Sequence, residues 1–229
     1  MIRLILCSDL HGDSVKYECI ADAAKRESAD LICCAGDMVD DASNRAGQTR
    51  YVEDFIKRSK TPWAICSGNH DFYYDQYEPI PVVPDWLCGV GTVEDGQTKL
   101  VGELAVTTIP WPLTEDVSYR RLVEQIVNAG KSLAEKYQWL IIIHSPPSGG
   151  LVGGGYIDYR AELTTEIIKD AKPDFLSCGH LHGCDFGDWI ERVEETICVN
   201  AGQAKLGAAP QYVVLEIKNG GWKADHSHF

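Results

Sequence analysis

The sequence predicts an α/β fold built on a largely parallel sheet. Short apolar runs alternate with stretches of helical periodicity along most of the 229 residues. These runs have the length of buried strands. Several of them stop at a glycine or serine that is followed at once by Asp, Asn or His. Strands alternating with helices place successive strands parallel, and ligand sites in such sheets lie beyond the strands' carboxyl ends. No repeat, low-complexity block or linker divides the chain. Residues 1–229 are therefore expected to form a single domain.

Residues 2–8 read as the first strand, with Asp9-Leu10-His11-Gly12-Asp13 directly after it. Val15 to Arg26 has helical character, with Ser14 as the candidate N-cap. Leu31 to Ala35 is a second strand and stops at Gly36-Asp37-Met38-Val39-Asp40. After a polar loop, a helix from about Gln48 to Arg58 carries Tyr51, Val52, Phe55 and Ile56 at helical spacing. Pro62 to Cys66 leads into Gly68-Asn69-His70-Asp71. Residues 72–86 are aromatic and proline-rich, which suits neither helix nor central strand. Short β-type runs follow, such as Lys99–Val101 and Glu103–Ile109, then a charged helix from about Asp116 to Tyr137.

Trp139 to Ile143 is the most apolar run and stops at His144-Ser145-Pro146-Pro147. Gly149 to Gly155 contains five glycines and reads as a mobile loop, either a lid or a plain connector. These glycines lie outside any strand-to-helix phosphate motif, which argues against dinucleotide binding. A helix from about Ala161 to Ala171 ends before Pro173. Phe175 to Cys178 then leads into Gly179-His180-Leu181-His182. Trp189–Val193, Thr196–Val199, Gln211–Ile217 and Trp222–Ala224 read as short strands.

Composition excludes several functions. The formal net charge of −13 disfavours long polyanions and anionic membranes unless a local positive centre offsets it. No stretch approaches the roughly 18 apolar residues of a membrane span, and the N-terminal apolar run is too short for a signal peptide. No CxxC pair occurs among nine cysteines, so neither a cysteine zinc site nor a disulfide framework is expected. Free thiols in strand-like runs suit a reducing, cytoplasmic setting.

The chemistry lies in five polar clusters, each at a strand end: Asp9/His11, Asp37/Asp40, Asn69/His70/Asp71, His144 and His180/His182. If the strands are parallel, all five gather at one edge. In extended chain, residues i and i+2 point the same way, so Asp9 with His11, and His180 with His182, can each offer two donors to one cavity. The remaining histidines, His226 and His228, are expected in a solvated tail. Mixed imidazole and carboxylate donors suit Mn, Fe, Zn or Co, whereas Mg and Ca prefer oxygen shells. Asp9, His11, Asp37, Asn69, His144, His180 and His182 are too many for one ordinary site and suit two divalent ions sharing a carboxylate.

The ordered series Asp9-x-His11, Gly36-Asp37-x-x-Asp40, Gly68-Asn69-His70-Asp71, His144 and Gly179-His180-x-His182 resembles the calcineurin-like metallophosphoesterase superfamily. The resemblance implies a four-layer α-β-β-α sandwich with two central mixed β-sheets and a binuclear metal site at the strand C-terminal ends. It implies one ion held by Asp9, His11, Asp37 and His182. A second would be held by Asp37, Asn69, His144 and His180, with Asp37 bridging. His70 resembles the family's general acid and Asp40 the carboxylate that orients it. Asp71 stands as a turn cap.

The implied reaction is hydrolysis of a phosphate ester by a metal-bridging hydroxide. The family's protein Ser/Thr phosphatase branch has arginine after its second aspartate and glutamate after its histidine, where this chain has Asp41 and Asp71. Without a basic stripe interleaved with aromatics, a nuclease of long polymers is disfavoured. A small phosphodiester or phosphomonoester, cyclic nucleotides included, is the expected substrate, with Trp111, Tyr73, Tyr74 and Tyr77 available to stack a base at the rim. The rival from another class is a catalytically silent binding scaffold on the same fold. Such a protein should have lost ligands or His70, and this chain keeps them all.

Overall fold

A computed structural model describes residues 1–40, 44–72, 82–113, 116–182, 189–203, 210–218 and 221–228. In chain order its elements begin with β1 (Ile2–Cys7), α1 (Ser14–Glu27), β2 (Leu31–Ala35), α2 (Arg45–Arg58) and β3 (Trp63–Cys66). Next come β4 (Thr98–Val101), β5 (Leu104–Ile109), α3 (Val117–Ala134), β6 (Gln138–Ile143), α4 (Tyr159–Ala171) and β7 (Phe175–Cys178). The chain closes with β8 (Ile190–Val193), β9 (Thr196–Asn200), β10 (Gln211–Lys218) and β11 (Gly221–His228).

The strands form two mixed sheets, ordered β11-β10-β1-β2-β3 and β4-β5-β6-β7-β9-β8. Within the first, β1, β2 and β3 are parallel and β10 and β11 antiparallel. In the second, β5, β6, β7 and β9 are parallel, with β4 and β8 antiparallel at its edges.

The pleat explains the layering. Side chains alternate across a strand, and here both faces are buried, so the strands read as continuous apolar runs. From β1, Leu4 and Leu6 enter the core between the sheets, beside Leu31, Cys33 and Ala35 of β2 and Leu140 and Ile142 of β6. The alternate residues Ile5, Cys7, Ile32 and Cys34 face outward and are covered by Tyr17 and Ile20 of α1 and Val52 and Ile56 of α2. On the second sheet Trp139, Ile141 and Ile143 face outward beneath Val123 and Ile126 of α3 and Ile167 and Ile168 of α4. The result is the helix–sheet–sheet–helix sandwich that the motifs implied.

Three local expectations are corrected. The N-cap of α1 is Asp13, whose carboxylate accepts from the Val15 N–H, not Ser14, the first helical residue. Helix α2 begins at Arg45, three residues before the expected start at Gln48, because the Asn44 carbonyl already accepts the Gln48 N–H at 3.1 Å. The C-terminal histidines do not lie in a solvated tail. They belong to β11, where His226 pairs opposite Val213 and stacks on Trp189 with ring centroids 5.3 Å apart.

Behind the end of β3 a carboxylate is buried with no ion-pair partner among the described residues. Neither oxygen of Asp95 has a hydrogen bond of good geometry, and burial pushes its carboxyl up to about 7, with nearby Ser67 only partly offsetting this. A carboxyl raised in the native state holds its proton more tightly there than in the unfolded chain. Its contribution to stability is full below the unfolded value and declines as pH rises through about 7. Replacing Asp95→Asn should remove that decline. Thermal unfolding should show the variant gaining on wild type between about pH 5 and pH 8, by at most about 3 kcal/mol; equal offsets at the two pH values would contradict this.

Candidate metal centre

The loops after β1, β2, β3, β6 and β7 meet at one edge, and backbone hydrogen bonds continue past the strand ends to hold them there. The N–H groups of Asp9, His11 and Gly12 donate to the carbonyls of Gly36, Asp37 and Met38 at 3.0, 2.9 and 2.8 Å. Gly179 donates to the His144 carbonyl at 3.0 Å, joining the last two loops. Asp9, His11, Asp37 and His180 all take positive φ, at 57°, 50°, 52° and 69°. Non-glycine residues in this region cost energy and concentrate at functional sites. Asp9 with His11 converge through this turn geometry, with Leu10 fully buried between them, and not as alternate residues of extended chain.

Glycine permits the closest approach. A Cβ on Gly36 would stand 2.7 Å from both the Gly68 N and the His144 Nδ1, and one on Gly68 would strike Asp37, 2.5 Å from its N. The loops after β2 and β3 are therefore in backbone contact. Asp71 then fastens them: Oδ1 accepts from Met38 N at 2.9 Å and Val39 N at 3.2 Å, and Oδ2 from Gly68 N at 2.8 Å. Burial, and after it the charge of Asp37, push its carboxyl up to about 7. Asp71 is thus more than a turn cap. Its signal in the sequence was one acidic residue beside a histidine, and only contacts across 33 residues reveal the role.

Asp37 lies at the centre and is 2% exposed. Its Oδ1 accepts the His70 N–H at 2.8 Å, and its Oδ2 lies 3.2 Å from His144 Nε2. Asn69 Oδ1 lies 3.2 Å from His144 Nε2 and 3.0 Å from His180 Nδ1. On the other side His182 Nε2 lies 3.1 Å from Asp9 Oδ1 and 3.2 Å from His11 Nε2. The seven candidate ligands thus fall into two adjoining groups, one around Asn69, His144 and His180 and one around Asp9, His11 and His182, with Asp37 against the first. Ligand atoms of Asp9, Asp37 and His144 also lie within 4.8 Å of one another, which joins the groups.

These residues fit bound cations. Asp9 is fully buried, and its Oδ1 has no hydrogen bond of good geometry although His182 stands beside it. Imidazole nitrogens and carboxylate oxygens aimed at common points are the donor set of a borderline transition metal. The electrostatics agree. Burial opposes charge on Asp37, yet His144 and the His70 N–H hold its carboxyl far below the usual range. Burial likewise opposes charge on His144, but Asp37 and Asp9 lift it to about 9. Burial, then the charge of His144, depresses His180 to about 4. Two buried carboxylates here draw in positive charge, and a proton on His144 is what a cation would displace.

Beside the ligand set, His70 places Nδ1 3.3 Å from Asp40 Oδ1 and Nε2 4.0 Å from Asp37 Oδ2. The Asp40 N–H is anchored by Gln48 Oε1 at 3.0 Å. Arg45 donates to the His70 carbonyl and Trp86 to that of Asp71, at 2.8 Å for the indole. Lys16, which no motif marked, is buried on α1 with Nζ 3.4 Å from the Asp9 carbonyl.

One rim expectation changes. Trp111 is 3% exposed and offers no face for a base; it packs against His144 and His180, with ring centroids 5.2 and 5.0 Å away. The glycine-rich segment is tied to the second sheet. Glu191 accepts from Leu151 N and Val152 N at 3.0 and 3.1 Å, and Asn200 Nδ2 donates to the buried Val152 carbonyl at 2.7 Å. Tyr73, Tyr74 and Tyr77 lie outside the described residues.

The family follows from the comparison of sequences. Residues 2–184 match the calcineurin-like phosphoesterase model, most of the chain, and the protein belongs to that family. It is accordingly a hydrolase acting on phosphate esters. No curated protein sequence matches it. Among solved structures, a dimetal phosphatase from Danio rerio is similar with a TM-score of 0.67 at 9% identity, covering 99% of this chain and 96% of that one. An archaeal phosphodiesterase is similar with a TM-score of 0.53 at 12% identity, covering 99% and 100%. The Plasmodium protein GAP50, an anchor in the inner membrane complex, has a TM-score of 0.60 at 16% identity, covering 99% and 84%. At these identities the likeness is one of fold. No described helix is long and apolar enough to cross a membrane.

Asp71→Ala should strip three buried N–H groups of their acceptor, at about 1–3 kcal/mol each before relaxation. Urea unfolding should show a loss of about 3 kcal/mol or more, and a loss within 0.5 kcal/mol or so of zero would contradict the fastening role.

Proposed function

We propose that the chain is a metal-dependent hydrolase of a small phosphomonoester or phosphodiester, with Asp9, His11, Asp37 and His182 holding one divalent ion and Asp37, Asn69, His144 and His180 a second. The observation that carries this is the convergence of seven nitrogen and oxygen donors in two adjoining groups around the buried Asp37. Mn, Fe, Zn or Co fits that donor set. When bound, such ions supply positive charge for the phosphoryl oxygens and make a water more acidic near neutral pH.

The chain's own residues do the rest. His70 stands beside the ligands and is tethered through its backbone N–H to Asp37. From there Nε2 donates a proton to the leaving-group oxygen, while Asp40 at Nδ1 holds the tautomer that carries it. The complete ligand set and His70 argue against the silent-scaffold reading, and a net charge of −13 argues against a nuclease of long polymers. The described cysteines are all free thiols, which supports a cytoplasmic setting.

Protein stripped by a chelator and reloaded with Mn²⁺ should hydrolyse aryl phosphate esters. Asp37→Ala should lose both metal and turnover. His70→Ala should keep its metal while kcat falls about 10²–10⁴-fold, and Asp40→Asn should fall by less. Full turnover by the metal-free protein would overturn the reading. A panel of mono- and diesters on the reloaded enzyme would then define the substrate class.

A further inference from the structure

The two histidines of the Asn69 side are held in different ways. His144 is fully buried, and its Nδ1 lies 2.6 Å from the Ala35 carbonyl, which fixes the ring with Nε2 toward Asp37 and Asn69. Tying the second ring nitrogen in this way is how ligand histidines are ordinarily oriented. His180 presents Nδ1 to Asn69, and among the described residues its Nε2 has no hydrogen-bond partner. Its backbone is anchored in a tight turn at φ 69°, closed by Leu181 N to Gly179 O, with its own N–H donating to Asp9 Oδ2 at 3.2 Å, but these bonds do not fix the rotation of the ring. Rings surround it instead: Trp111 at 5.0 Å, inclined 45°, and Tyr156 at 5.3 Å, inclined 63°.

Those rings are themselves locked. The backbone N–H of Trp111 donates to Ser67 Oγ at 2.9 Å, next to the loop that carries Asn69. The Arg160 guanidinium lies 4.6 Å over the Trp111 ring. Arg160 Nε donates to the Pro112 carbonyl at 3.1 Å, and Nη1 to Asp158 Oδ2 at 3.1 Å. The same Asp158 oxygen accepts the Tyr156 hydroxyl at 2.6 Å. Through its Oδ1 Asp158 also caps α4, accepting from the N–H groups of Arg160 and Ala161 at 2.9 and 2.8 Å. One cap carboxylate thus ties both aromatic walls of His180 to a rigid helix.

We propose that Trp111, clamped by Arg160, is the positioning residue that aims His180 at the second cation position, doing by ring packing what a hydrogen bond does for His144. This rests on the two-cation reading above. It requires that Trp111 act on one ion position selectively, which a residue serving only the core would not do.

The test is calorimetric titration of chelator-stripped protein with Mn²⁺, with metal content counted by elemental analysis and folding checked by circular dichroism. His180→Ala marks the behaviour of a chain lacking that ligand. Wild type should bind about two ions, the arrangement of two-metal sites. Trp111→Leu should weaken only the second ion, by about 10–100-fold, the usual effect of removing support from a ligand. Trp111→Phe should restore most of the affinity, and Arg160→Met should shift the same ion in the same direction by several-fold.

A folded Trp111→Leu protein that keeps both ions at wild-type affinity, or loses both equally, would overturn the proposal. If Trp111→Leu does not fold, Arg160→Met decides, and unchanged affinity for the second ion overturns it. Wild type that binds only one ion would refute the two-cation reading itself, and the proposal with it, whatever the variants do.

Discussion

Asp37 is a buried carboxylate at the point where loops from both sheets meet, and the arrangement around it depends on its charge being met. Its backbone carbonyl receives the His11 N–H, one carboxylate oxygen receives the His70 N–H, and the other faces His144. A carboxylate cannot stay ionised in a dry interior without such partners. The loops after β1, β2, β3 and β6 therefore take positions that serve one negative charge. The backbone strain at Asp9, His11, Asp37 and His180 accompanies that demand, and packing of the two sheets holds it in place.

Around this centre the structure separates candidate ligands from the residues that support them. Carboxylates and imidazoles line two adjoining groups, while Asp71, Ser67, Gln48 and Asp158 hold backbone and rings in place from behind. The aromatic wall belongs to the supports. Trp111 faces the histidines from inside the protein, so the surface open to a substrate is set by His70, Asp40 and the segments near them. On the proposed reading, cations bound at this edge supply the local positive charge through which a net negative chain draws a phosphate ester.

The fold and the ligand types were legible in the sequence for a physical reason. Buried parallel strands must be short apolar runs, and the residues that follow them must be able to turn and to ligate, so Gly36-Asp37 and Gly68-Asn69 stand out without coordinates. The supports were not legible. Asp71 looked like a local cap because its partners Met38 and Val39 lie in a different loop. Trp111 looked like a rim aromatic because burial depends on α4 lying over it. The ties of the glycine-rich segment were hidden because Glu191, which accepts from it, is on an edge strand far along the chain.

Sequence by itself determined the α/β alternation, the strand ends and the chemical identity of every candidate ligand, since each is written in local composition and order. Tertiary structure alone decided how those ligands divide into two groups, and that Asp9 and His11 converge by a strained turn. It also set two aromatic rings around His180 and the Ala35 carbonyl against the second ring nitrogen of His144. These are relations between segments brought together only when the two sheets pack, and no local pattern encodes them. Asp37 could be recognised as a carboxylate at a strand end from ten residues; that it lies between two groups of donors required the whole sandwich.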